Sequence, residues 1–523
     1  MAMKRATQHP TLPQSPGGAR RLLWAAMAIA LALSGCATPI SSPRERVPLD
    51  VPAMWSRPFI GLTDEATPLT QWWLRFFDPT LTDLVNQALA SNTDIAIASA
   101  AVQQALATRD LAASARSPTL GVSAGAQRSF RGDDTRTDNL QAGFNAALTP
   151  DLFGALGQAL DASNAALQAA EARLGLAQSQ VAQGVALSYI NLRSAQVRLL
   201  IAQDNLGSQL ETLQITRWRN QAGLIGAVEV EQAVVAAGQT RTQLAPLQVT
   251  LDTALHSLAV QLGRPPAALS ALLLPAATVP QAAQGLAPGT PGDALDLRPD
   301  VRAAKFDVEQ ALARADQARA ARRPSLSLTA NLGVGAATLE ALSSSAAAVA
   351  ALALSLTAPL FDGGAGAARV ALQEAALTQA RASYRAAELA ALQQVEDAMS
   401  ALRADRERLG LLQELALSAS SAATMARQRF GGGLVDFQIV LETQRSRLST
   451  QDSVASARAA VSADHVRLYK ALGGGWQTAR AEPIVDETTR AAMSARNDWK
   501  GLLDAPLPPP EAEFVPPRPR ETP

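Results

Sequence analysis

The sequence predicts a mixed fold, mainly α with a smaller β component, in which one structural module is written twice. Landmark residues recur in the same order at a long and nearly constant offset. Each copy carries short segments that alternate between apolar and small polar residues. Each also carries a long alanine-rich stretch without proline, 155–222 and 365–432.

The offset comes first, because overlooking a repeat misreads every later element. Thr93-Asp94-Ile95 and the run Val102 to Ala107 return as Pro299-Asp300-Val301 and Val308 to Ala313, which puts Asp94 and Asp300 206 positions apart. Ala115 to Leu120 returns as Ala321 to Leu326 at the same spacing, and Asp151-Leu152-Phe153-Gly154 is echoed around Leu360-Phe361. Farther on, Gly223-Leu224 matches Gly433-Leu434, and Leu262-Gly263 matches Leu472-Gly473, 210 positions apart. So small a drift marks duplication with minor insertions, not a short solenoid repeat.

Along the chain, Lys4, Arg5, Arg20 and Arg21 precede the apolar run Leu22 to Leu33 and then Leu33-Ser34-Gly35-Cys36, which reads as an export signal over 1–35. The run is shorter than the roughly 20 apolar residues that span a bilayer. Leu-Ser-Gly-Cys resembles a lipobox, with Cys36 acylated as the first mature residue of a lipidated segment 36–80; the plain alternative is an ordinary signal peptide with a cysteine near its cleavage site. No Asp follows Cys36, which by likeness to lipoprotein sorting favours the outer membrane.

The first copy covers 81–265 and the second 300–476, joined by a proline-rich linker 266–299. Each opens with a helical stretch rich in Ala, Gln and Leu, 81–116 and 300–323, stopped by Pro118 and Pro324. Strand pairs follow at 118–150 and 324–361. Leu326, Leu328, Ala330, Leu332 and Val334 alternate with Ser325, Ser327, Thr329 and Asn331, and Leu140, Ala142, Phe144, Ala146 and Leu148 alternate with Gln141, Gly143 and Asn145. A soluble sandwich would need a second sheet to cover the apolar faces, and the chain supplies none. Four strands are also too few for a closed barrel, whose smallest examples have about eight, so several chains must contribute to one.

The alanine-rich stretches open the helical hairpins 154–263 and 364–472; at 1.5 Å per residue each stretch allows roughly 100 Å of helix. In the second copy Leu389, Leu392, Val395, Met399, Leu402, Leu409, Leu412 and Leu415 keep coiled-coil spacing. Glycines at 223–226 and 431–433 end these helices, and a return helix follows. The segment 477–523 is interrupted by prolines and is expected to be partly disordered.

Composition removes several function classes. Forty-six Lys and Arg balance forty-six Asp and Glu, so no net field draws nucleic acid. With three His and one Cys there is no basis for a zinc cluster or a disulfide framework. Neither His256 nor His465 has a nucleophile context, so no catalytic residues and no cofactor are expected.

The residues resemble the outer-membrane factor (TolC-like) family, and within it the NodT-type lipoproteins of resistance-nodulation-division efflux systems. The likeness rests on Trp72-Trp73 with Phe76 and Asp78-Pro79, on Leu297-Arg298-Pro299-Asp300, on Pro359-Leu360-Phe361-Asp362-Gly363-Gly364, on Phe430 with Gly433-Leu434-Val435-Asp436-Phe437, and on Leu472-Gly473-Gly474-Gly475-Trp476. It departs at Thr149-Pro150 and Ala155, where relatives commonly carry other residues. The resemblance implies a homotrimer whose strand pairs, four strands per chain, close one outer-membrane β-barrel continued by a long periplasmic α-helical barrel. It implies a passive exit duct for drugs or other small toxic molecules, most of the chain lying in the periplasm. Its partners would be outer-membrane lipid, a periplasmic adaptor and an inner-membrane pump. The tip that meets the adaptor would hold Gly223, Leu224, Val228, Gly433, Leu434 and Val435. Asp436 and Glu442 are the candidate gate acids, with Arg427 and Arg429 as partners; a helix N-terminal charge for Asp436 and solvated helix-end cations are the plain alternatives. A protein-secretion channel and a structural, lipid-anchored coiled coil are the rival readings, and the four strands argue against the second.

Replacing Cys36 by Ser is expected to abolish incorporation of labelled palmitate; continued labelling would refute Cys36 as the anchor.

Overall fold

The computed structural model describes residues 51–56, 69–132, 135–283, 289–341, 344, 347–476, 491 and 494–496. The signal segment, Cys36 and most of 477–523 lie outside the described residues. A 3₁₀ turn, Leu69–Phe76, leads into α1 Pro79–Ser91, α2 Thr93–Ser114, β1 Thr119–Arg131, β2 Thr135–Leu148, α3 Ala155–Gln221 and α4 Ala227–Gln261. After two short turns come α5 Pro291–Leu297, α6 Pro299–Ala320, β3 Ser325–Ala336, β4 Ala348–Thr357, α7 Ala365–Gly431 and α8 Phe437–Ala471. The duplication is visible in the lengths: α2 and α6 have 22 residues each, α3 and α7 have 67, and α4 and α8 have 35. Among the described residues no helix is long and apolar enough to cross a membrane.

The segments Thr108–Ala165 and Val308–Ala380 belong to one compact unit, built on a single antiparallel sheet of order β1-β2-β3-β4. Paired residues of an antiparallel sheet share a face, so the register decides what each face is made of. Leu120, Ala146, Ala330 and Leu352 form one row; Val122, Phe144, Leu332 and Ala350 form the next. The alternate rows are Gly121, Asn145, Asn331 and Ala351, then Ser123, Gly143, Gly333 and Val349. One side is thus wholly apolar across all four strands through these rows. Leu120, Val122, Phe144, Leu332, Leu352, Leu354 and Leu356 are all exposed on it. A soluble sandwich is excluded among the described residues, since this is their one sheet and its apolar face is bare.

The second compact unit takes in the described residues of Leu49–Ala107, Ala166–Asp307 and Arg381–Pro523. Its main core gathers Trp72, Phe76, Leu81, Val85, Val185, Tyr189, Leu258, Val466 and Tyr469. Trp72 is stacked on Tyr469 at 5.7 Å and meets Phe76 edge-on at 6.1 Å. Asp78 starts α1 as its N-cap, accepting from Leu81 N–H at 3.0 Å ahead of Pro79, and its other oxygen accepts the Tyr189 hydroxyl at 2.9 Å. Of the coiled-coil positions on α7, Val395, Met399 and Leu402 are buried against Leu468 and Leu472, whereas Leu389 and Leu415 are exposed.

The stretch 81–116 is not one helix. It breaks at Asn92 (φ −70°, ψ 137°), and the second copy breaks 206 positions later at Arg298 (φ −80°, ψ 126°). Both side chains are buried and reach the last residue of a return helix: Asn92 Nδ2 donates to the Gln261 carbonyl at 2.8 Å, and Arg298 Nη1 donates to the Ala471 carbonyl at 3.0 Å. Carbonyls in the last helical turn have no partner within their own helix, so these bonds complete α4 and α8. Arg298 additionally grips Asp300 at 2.6 and 3.0 Å. Two residues beyond each of those carbonyls, Gly263 (φ +67°) and Gly473 (φ +84°) turn the chain against the broken stretch. A Cβ on Gly263 would fall 2.6 Å from the Ser91 carbonyl oxygen, and one on Gly473 would fall 2.8 Å from that of Leu297.

Gly473→Ala is therefore expected to lower stability by about 1–3 kcal/mol. Gly238→Ala, in the interior of α4 with open space around it, is expected to be neutral or stabilising by up to about 1 kcal/mol. Thermal denaturation followed by circular dichroism compares the two.

Candidate functional site

The two hairpin turns are built alike. Gly223 (φ +73°) donates to the Asn220 carbonyl at 2.9 Å and Leu224 donates to that of Arg219 at 2.9 Å; Gly433 (φ +76°) and Leu434 repeat this on Phe430 and Arg429 at 3.0 and 2.9 Å. This paired closure is a Schellman turn, whose left-handed position suits glycine. It leaves Leu224, Val228 and Leu434 exposed, about two-thirds or more of each surface being open. Ile225 and Val435 instead pack on an apolar cluster of Leu213, Phe430, Phe437, Val440 and Leu441. Beside it, Ala227, Val228, Glu231, Gln232, Val235, Gln438, Leu441 and Arg445 line a groove of about 520 Å³ between α4 and α8.

The charged candidates do not come together within one chain. Arg427 pairs with Glu211 of α3 at 3.3 Å. Arg429 forms no ion pair among the described residues. Asp436 is the N-cap residue of α8, but its exposed carboxylate makes no capping bond. Glu442 is exposed on α8. The cation that does organise the tip is Arg219: its guanidinium lies 4.5 Å from the centroid of the Phe430 ring and donates to the Phe430 carbonyl. Sequence reading passed over it, although the repeat held the signal, because Arg217 and Arg219 precede Arg427 and Arg429 by the same 210 positions as the two turns.

Above the tip, α3 meets α8 through a polar seam. Arg198 grips Asp452 at 2.6 and 3.0 Å, Asn205 Nδ2 donates to Gln451 at 2.9 Å, Arg447 meets Asp204 at 2.9 Å, and Gln444 Nε2 donates to Thr212 at 2.8 Å. Arg198, Asn205, Thr212 and Arg219 are spaced by seven, the coiled-coil period, with polar groups where a seam normally carries leucine. A search for apolar heptads misses such a seam.

Near the other end of α8, the 3₁₀ turn, α7 and α8 meet around His465, which is 5% exposed. Its Nδ1 lies 2.7 Å from the Val461 carbonyl, an acceptor, so Nδ1 carries the proton and Nε2 accepts from Arg406 Nη2 at 2.8 Å. Burial first, then the Arg406 and Arg75 guanidinium charges, pull the imidazole down to about 4. Burial likewise raises the adjacent Asp464 carboxyl, which sits beside Asp405.

An open four-stranded sheet with one bare apolar side, followed in each copy by a long helical hairpin, defines the class: a channel protein of the outer membrane. The chain belongs to the outer membrane efflux protein family, whose model matches residues 84–264 and 290–474. Over 469 residues it is 32% identical to the pyoverdine export outer membrane protein OpmQ of Pseudomonas putida, covering 86% of this chain and 96% of that protein. Over 463 residues it is 27% identical to the cation efflux system protein CusC of Escherichia coli O157:H7, covering 86% and 98%. Among solved structures, the outer-membrane channel OprN matches with a TM-score of 0.77 at 31% identity, covering 83% of this chain and 99% of that one. The open-state MtrE channel of Neisseria gonorrhoeae shares the fold at 0.77 and 23% identity, covering 85% and 100%. The protein is thus an exit duct of the outer membrane in an efflux system.

His465 makes stability depend on acid. Its folded value, about 4, lies below the ordinary value near 6.5. The unfolded chain therefore takes up the proton first as pH falls. Stability is full above about pH 6.5 and is lost progressively towards pH 4, by roughly 3 kcal/mol at most. The stability difference between the wild type and His465→Gln should shrink by that order between pH 7 and pH 4 in denaturant titrations; a constant difference would refute the linkage.

Proposed function

We propose that three copies of this chain close one barrel in the outer membrane and continue it as a periplasmic helical tunnel, with Cys36 acylated. The observation that carries this reading is the sheet, one side apolar across all four strands except for Arg128, Arg136 and Asp138 near the β1–β2 turn, and its outer strands β1 and β4 each paired on one edge only among the described residues. In lipid each unpaired backbone group costs several kcal/mol, so copies must join edge to edge. The number three rests on likeness to the family. The tunnel conducts passively, with no catalytic step of its own, from a proton-driven inner-membrane pump through a periplasmic adaptor.

The exposed Leu224, Val228 and Leu434 at the hairpin turns supply the surface that meets the adaptor. Asp436, free of a capping role, supplies one carboxylate per chain to a ring at the tunnel mouth, with Glu442 farther along α8. With Arg427 engaged by Glu211, Arg429 is the cation left to face that ring. Relatives are named for pyoverdine export, cation efflux and toluene efflux. Such unlike cargoes on similar chains support drugs and other small toxic molecules as cargo, selected at the pump.

Purified protein in planar bilayers is expected to give discrete conductance steps. Asp436→Ala is expected to raise the conductance about twofold or more by removing the ring. An unchanged value removes Asp436 from the gate, and absence of any conductance refutes the duct.

A further inference from the structure

The side of the sheet opposite the apolar face carries no ionisable side chain over most of its height. On β1 it presents Thr119, Gly121, Ser123, Gly125 and Gln127, and on β2 Asn139, Gln141, Gly143, Asn145 and Ala147. On β3 it presents Ser325, Ser327, Thr329, Asn331, Gly333 and Gly335, and on β4 Val349, Ala351, Ala353, Ser355 and Thr357. Arg131, paired with Thr135, falls on this face only at its end by the hairpin turn, and Arg128 paired with Asp138 at 2.6 Å and Arg136 beside Phe130 stand on the apolar side near the same turn.

The amides on this side are also bedded into the wall. Both terminal atoms of Asn145 lie 3.2 Å from where a Cβ on Gly121 would stand, and Gln141 Nε2 lies 3.5 Å from the corresponding point on Gly125. Asn145 and Gln141 of β2 thus each fold over the glycine of β1 opposite. The row beside it, Ser123, Gly143, Gly333 and Val349, has bare backbone on its two central strands. Hydrogen-bonding capacity is kept while bulk is kept out of the way.

We propose that this face lines the barrel bore as a charge-free amide and hydroxyl wall, with Asn145 and Asn331 as its girdle, so that the barrel passes hydrogen-bonding solutes of either charge. The inference rests on the trimeric barrel reading. Field strength inside a confined bore is set by the charges on its walls, and without wall charges neither sign is concentrated or excluded. Sorting by charge then falls outside the barrel, which limits cargo by width alone.

The chain has a single cysteine, Cys36, so an introduced thiol is unique once Cys36 is acylated or replaced. Asn331→Cys, reconstituted in planar bilayers, is treated with anionic and cationic methanethiosulfonates of similar size, and Leu332→Cys on the opposite face is the control. The expected result is stepwise block of Asn331→Cys channels by both reagents. Their rates, each divided by the rate on a free thiol in solution, should agree within about threefold. A preference above about tenfold for either sign shows a charged bore and overturns the proposal. So does an unreactive Asn331→Cys beside a reactive Leu332→Cys, which would mean that the faces are reversed. Failure of the barrel reading is distinct, because untreated wild-type protein would then show no channels at all.

Discussion

The backbone hydrogen bonds along the outer edges of β1 and β4 are the constraint on which the rest depends. A sheet with one apolar side can rest in lipid, but a free row of N–H and C=O groups there cannot. Lengthening either strand satisfies nothing; only another strand does. The chain already makes this joint once internally, where β2 of the first copy pairs with β3 of the second from Leu140 opposite Ala336 to Leu148 opposite Leu328. A β1 to β4 joint between chains repeats the same kind of seam, so duplication and association are two uses of one solution.

The helical unit is tied together by a second repeated device. At Asn92 and Arg298 a side chain is buried in order to complete the carbonyl end of a helix that lies far away in sequence. The copies have diverged in how they do it. Asn92 is small and also caps the next helix through Asp94 N–H at 2.8 Å, whereas Arg298 is long, always charged, and needs Asp300 and Gln394 to match its other donors. Burying a guanidinium is costly unless every face is met, which explains why Leu297-Arg298-Pro299-Asp300 reads as a compact signature while its counterpart around Asn92 does not.

Between that joint and the tip the character of the packing changes. Buried aromatic residues around Trp72 and Tyr469 give way, along α3 and α8, to pairs such as Arg198 with Asp452 and Thr212 with Gln444, and then to the small apolar cluster that Arg219 covers. Polar seams fix register strongly and contribute modestly to stability.

The sequence by itself determined what depends on near neighbours. The offset of 206 to 210, the alternation of Leu326 to Val334, the proline stops at 118 and 324 and the glycine turns at 223 and 433 are all local patterns, and each stands in the structure where it was read. Tertiary structure alone decided the break at Asn92, the need for Gly473, the role of Arg219 and the polar heptad on α3. Each leaves at most a trace in the sequence, and the partner that gives it a role is remote. Asn92 lies among the cap-forming residues Ser91, Thr93 and Asp94, but that it is buried on the Gln261 carbonyl is set by the fold; Arg219 is one of many arginines until Phe430 is placed beneath it. Periodicity is written in successive residues, whereas a buried hydrogen bond needs a partner some 170 to 250 positions away in these cases, and only the folded chain brings the two together.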